Sequence, residues 1–73
     1  MPVLLANQHV QIGPLPKGGI LEFTAPQTDN IFDAPDLNGI PISLSHLPKR
    51  VTLAMGNVYT LTARYANIHY TIH

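Results

Sequence analysis

The chain has 73 residues, no cysteine, four basic and four acidic side chains, 45% hydrophobic residues and only 11% charged residues. That length limits it to one small domain, and the missing cysteines exclude disulfides as a source of stability. The apolar content excludes full disorder, and zero net charge with so few charges favours association over colloidal repulsion.

Residues 3–6 (Val-Leu-Leu-Ala) and 9–12 (His-Val-Gln-Ile) read as short β runs. Residues 13–19, Gly-Pro-Leu-Pro-Lys-Gly-Gly, read as a loop, because proline and glycine suit neither a helix nor a central strand. Residues 20–25 alternate. Leu21, Phe23 and Ala25 share one side, Glu22 and Thr24 the other, as in a half-buried strand.

Residues 26–39 have no clear period. They carry Asp29, Asp33, Asp36, two prolines and the Asn38-Gly39 turn pair. A loop of this length is usually functional or ordered by a partner, and its embedded Ile31, Phe32 and Leu37 point to packing. Ile40, Ile42 and Leu44 then alternate with Pro41, Ser43 and Ser45, and Pro41, which cannot donate to a ladder, makes this an edge strand or the start of one. Residues 44–50 have room for a single helical turn. No helix of three turns is expected, because the seven prolines are spread along the chain.

Residues 51–55 and 58–62 flank Gly56-Asn57 and read as a β-hairpin. Beyond it the parity changes. Tyr59, Leu61, Ala63 and Tyr65 are odd, whereas Ile68, Tyr70 and Ile72 are even. A straight strand would send the two sets to opposite faces, so either a two-residue turn at Ala66-Asn67 or a bulge, bend or longer loop is expected; alanine suits the positive φ of such a turn poorly, which favours the latter. The whole reads as one all-β domain over residues 1–73. It is a small barrel or sandwich of about five or six short strands, with Pro/Gly-rich loop or extended segments at 13–19 and 26–39.

No chemical motif stands out. His69 and His73 are four apart, a zinc spacing on a helix, but on a strand their α-carbons lie roughly 13 Å apart. The loop aspartates miss the EF-hand order and its closing glutamate. Ser45 and His46 are adjacent and so point to opposite faces of a strand, and Lys17-Gly18-Gly19 lacks the P-loop spacing. The chain is therefore expected to be no enzyme and to need no metal or cofactor.

Residues 1–48 hold all four acids against Lys17, a net of −3, and residues 49–73 hold Lys49, Arg50 and Arg64, a net of +3. This asymmetry suits contact between an acidic loop and a basic edge of a neighbour. The expected role is structural: homo-oligomerisation, with the proline-rich segments lying across a neighbour, inside a larger protein assembly. The expected contacts are Leu15, Ile31, Phe32 and Leu37, with the stripe Val51, Leu53 and Met55. The most concrete form is a phage virion component such as a capsid cement or decoration protein, whose general profile is a short β domain with extended arms and no cysteine. The alternative is a small barrel binding single-stranded nucleic acid, or a regulatory protein target, through a face of Tyr59, Tyr65 and Tyr70. Zero net charge disfavours nucleic acid. No apolar run approaches the roughly 20 residues of a membrane span, and no signal peptide is read at the N-terminus, so synthesis in the cytoplasm is expected, with incorporation into a virion under the structural reading.

Overall fold

The computed structural model describes residues 3–73. Eight strands follow in order: β1 (Val3–Leu4), β2 (His9–Ile12), β3 (Gly19–Ala25), β4 (Asp36–Leu37), β5 (Ile40–Pro41), β6 (Lys49–Leu53), β7 (Tyr59–Thr62) and β8 (Ile68–Ile72). A 3-10 turn at Ile31–Asp33 precedes β4. The protein is all-β. Its strands form two four-stranded antiparallel sheets, ordered β1-β8-β3-β6 and β2-β7-β4-β5. Neither sheet closes into a barrel. The expected five or six strands become eight, because two-residue strands are too short to show a period.

One core joins the sheets. Leu4, Leu21, Phe23, Leu53, Ile68 and Tyr70 enter it from the first sheet, and Ile12, Leu37 and Leu61 from the second. Strand alternation selects them: Leu21 and Phe23 point inward while Glu22 and Thr24 lie on the other face, as expected. A register irregularity between Phe23 and Ala25 marks the end of that regular pairing with β8. Pro41 sits in β5, the edge strand of the second sheet, where no ladder donor is required.

The expected hairpin about Gly56-Asn57 does not form. β6 pairs with β3 in one sheet and β7 with β2 and β4 in the other, so residues 54–58 carry the chain between sheets. The tight hairpin turn is instead Asn38-Gly39, between β4 and β5. Both residues have positive φ there (52° and 81°), which the two-residue type I′ hairpin demands. At Gly56-Asn57 only Gly56 is left-handed, with φ 78°. The parity change after Tyr65 is real, and it has the same kind of cause. Residues 63–67 form a longer loop that takes the chain from β7 back to β8 in the first sheet.

The segment 26–39 also departs from the expected open loop. Asp36 and Leu37 form β4, Ala34 and Pro35 are buried, and Thr28 bridges Leu44. The helical turn expected within 44–50 lies here instead, at Ile31–Asp33. Neither proline-rich segment is a free arm. In the 13–18 loop the Leu15 carbonyl accepts from the Gly18 and Gly56 N–H groups at 3.1 and 2.9 Å.

The strand directions divide the molecule into two ends. The β2–β3 loop, the β6–β7 connection and the end of β8 lie at one, which we call the Lys17 end. Residues 5–8, 26–35, 42–48 and 63–67 lie at the other, the Phe32 end.

Candidate functional site

Apart from Val3, Ile20 and Pro41, the outward sheet positions are polar. On the first sheet they are Glu22, Thr24, Arg50, Thr52, His69 and Thr71, and on the second His9, Gln11, Asp36, Thr60 and Thr62. Most of the large exposed apolar side chains lie toward the two ends. Ile20, Met55, Val58 and Ile72 stand at the Lys17 end, and Leu5, Ile31, Phe32 and Tyr65 at the Phe32 end. Only Val3 and Ile40 of this set lie within edge strands. Scattered apolar residues on a surface are ordinary, whereas their concentration toward opposite ends with largely polar faces between is informative.

Local chemistry fixes the Phe32 cluster. The Asn30 side-chain oxygen accepts from the Phe32 N–H at 3.0 Å, and the Thr28 hydroxyl accepts from the Asn30 N–H at 3.1 Å. These bonds cap the 3-10 turn, while buried Ala34 and Pro35 anchor its exit. Ile31 and Phe32 are thereby held outward. Phe32 meets Tyr65 edge-on, with ring centroids 6.5 Å apart at 66°. The Arg64 guanidinium lies 5.6 Å from the Tyr65 ring centre, within cation–π range. Arg64 also approaches Asp36, Nε to Oδ2 at 3.8 Å, while Asp36 Oδ1 is buried without a hydrogen-bond partner among the described residues. Asn7, Asp36, Thr62, Ala63, Arg64 and Tyr65 line an open depression of about 320 Å³ beside the rings.

At the opposite end the loops are locked by backbone contact. A Cβ on Gly18 would lie 2.8 Å from the Leu53 carbonyl oxygen, and one on Gly13 would lie 2.6 Å from that of Asn57. Glycine at both positions lets the 13–18 loop press on 54–58. Met55 is thereby left 70% exposed beyond the end of β6.

The expected contact residues therefore separate. Ile31 and Phe32 are exposed at the Phe32 end and Met55 at the Lys17 end, where Leu15 is half-buried. Leu37 and Leu53 are buried in the protomer's own core and unavailable to a neighbour, and Val51 packs against that core. Val51 and Leu53 do share one strand face, the inward one, whereas Met55 lies beyond the strand and is exposed. The three tyrosines share no face. Tyr70 is buried, Tyr59 is half-buried with its hydroxyl accepting from the Ala54 N–H at 2.8 Å, and only Tyr65 is open. Leu5, Ile20, Val58 and Ile72 were missed as surface residues. Ile20 carried a readable signal, since it shares the parity of Glu22 and Thr24.

The charge asymmetry is largely resolved within one protomer. Arg50 pairs with Glu22 at 2.7 Å, across the β3–β6 ladder, and Arg64 stands near Asp36. His73 Nε2 lies 3.4 Å from the other Glu22 oxygen and 3.1 Å from the Thr71 hydroxyl. The hydrogen bond from Arg50 holds the Glu22 carboxyl below its ordinary value; desolvation opposes this, and His73 adds to it. Glu22, Thr24, Leu47, Pro48 and Arg50 line a second open depression, of about 460 Å³. Ser43 and Ser45 bond each other at 3.3 Å, with no histidine joined to either among the described residues. Among those residues no three His, Asp or Glu side chains gather in a metal-binding set, and no helix is long and apolar enough to cross a membrane.

Comparison with protein-family models, with curated proteins and with solved structures finds no match to this chain.

Proposed function

We propose that this chain is a non-enzymatic structural module that assembles with copies of itself and works within a larger protein assembly. Its most concrete form is a cement or decoration component of a phage virion. The observation that supports the reading is the concentration of exposed apolar side chains toward both ends, with largely polar sheet faces between them. A small domain that stayed alone in solution would gain nothing from Phe32 at 60% exposure and Met55 at 70%. Association would remove them from water.

The nucleic-acid alternative loses its platform, since Tyr65 is the only open tyrosine and shares its end with Asp29 and Asp33. Absolute mass by light scattering after size exclusion, over a range of protein and salt concentrations, tests the proposal. Multiples of 8.0 kDa that grow with concentration support it, and a monomer throughout refutes it. The virion role has its own test. Mass spectrometry of purified particles would contain the chain, and its absence would remove that role while leaving self-assembly standing.

A further inference from the structure

Counting side chains with histidines neutral, the charges without an ion-pair partner among the described residues are Lys17, Asp29, Asp33 and Lys49. They are not evenly placed. Lys17 is alone at one end. Asp29, Asp33 and Lys49 are at the other, where they sum to −1. The net-zero chain thus presents one apolar end with a positive charge and one apolar-aromatic end with a net negative charge.

From this we infer that copies dock head to tail. Met55, Val58, Ile20 and Ile72 of one protomer would cover Phe32, Ile31, Tyr65 and Leu5 of the next, with Lys17 facing Asp29 and Asp33. The inference rests on the proposed self-assembly and specifies its geometry. Like ends would oppose Lys17 to Lys17, or the two aspartates to each other, whereas unlike ends bring opposite charges together. Such charges act mainly on orientation and encounter. The apolar side chains supply the affinity. A contact between two different surfaces is heterologous, so it propagates into a ring when the rotation closes and into a filament when it does not.

A mixing experiment tests this. Met55→Glu blocks one end and Phe32→Glu the other. Both residues are mostly exposed, so both variants keep the wild-type far-UV circular dichroism. Val58→Glu and Tyr65→Glu stand in if either fails to fold. The wild type is expected to form species beyond the dimer. Each variant alone should be a monomer, with association weakened at least tenfold. An equimolar mixture should form a one-to-one dimer and stop there, because only one native end of each kind remains. A multimeric wild type whose single variants keep full-size assembly would overturn the head-to-tail contact while sparing self-assembly. Variants that each dimerise alone would overturn it in favour of like-end pairing. A monomeric wild type would overturn self-assembly itself.

Discussion

Replacing Phe32 by alanine should weaken association and leave the fold cooperative. Full burial of a phenylalanine side chain is worth roughly 1.5–3 kcal/mol. Phe32 is 60% exposed, so about 1–2 kcal/mol remains to be gained when a neighbour covers it. That corresponds to roughly a 5- to 30-fold loss of affinity per contact in Phe32→Ala. The covered part contributes about 1 kcal/mol to folding, and the edge contact with Tyr65 at 6.5 Å adds about 0.5 kcal/mol. Phe23 is the control. It is fully buried between β8 and β6, and Phe23→Ala should cost about 3–5 kcal/mol. A core of this size rarely supplies more than about 3–5 kcal/mol in total, so Phe23→Ala should abolish cooperative unfolding. Urea titration followed by circular dichroism, at one fixed protein concentration, reads the folding arm, and light scattering reads the association arm. The reasoning fails if Phe32→Ala unfolds like Phe23→Ala, or if it leaves the concentration dependence of the mass unchanged.

Three further perturbations probe the scaffold. Gly39→Ala puts a side chain at φ 81° in open space and should cost about 1–2 kcal/mol; Gly18→Ala, at φ 71° with the Leu53 carbonyl 2.8 Å from the new Cβ, should cost clearly more in the same urea assay. Asn38→Ala removes the acceptor of the Thr60 N–H at 2.9 Å and strains a residue at φ 52°, for a loss of about 2 kcal/mol in urea midpoint experiments. Glu22 has a depressed folded-state pKa, so its contribution is present above its ordinary value of 4.5 and is lost as pH falls through the lower folded value; urea midpoints should show Glu22→Gln less stable than wild type near pH 6, with the gap closing in that acid range.

Much of the architecture was written in side-chain alternation. The inward set Leu21 and Phe23 and the parity change between Leu61 and Ile68 follow from a period of two, and the edge role of Pro41 from its missing N–H. The sheet to which a strand belongs did not follow. Gly56-Asn57 is a turn signal, but local turn chemistry does not specify whether the two flanking strands return to one ladder. The core decides that here, with Leu53 and Leu61 meeting in it from opposite sheets. β4 was invisible because two residues carry no period.

The candidate surface was half legible for a related reason. Apolar residues in an aperiodic segment are ambiguous, and in 26–39 the same loop sends Leu37 inward while its capped 3-10 turn holds Ile31 and Phe32 outward. Val58 and Ile72 are exposed for another reason: they flank or end strands, where the opposing sheet no longer covers them.

In the proposed assembly the two apolar ends, and not the largely polar sheet faces, meet the neighbouring copies. Methyl and aromatic NMR spectra across a dilution series from multimer to monomer test it most directly. Concentration-dependent shifts are expected at Met55, Val58 and Ile72 and at Ile31, Phe32 and Tyr65, with Leu21 and Leu61 unmoved. Shifts confined to His9, Thr60 and Thr62 on the outer face of the second sheet, or spectra that do not change with concentration, would contradict it.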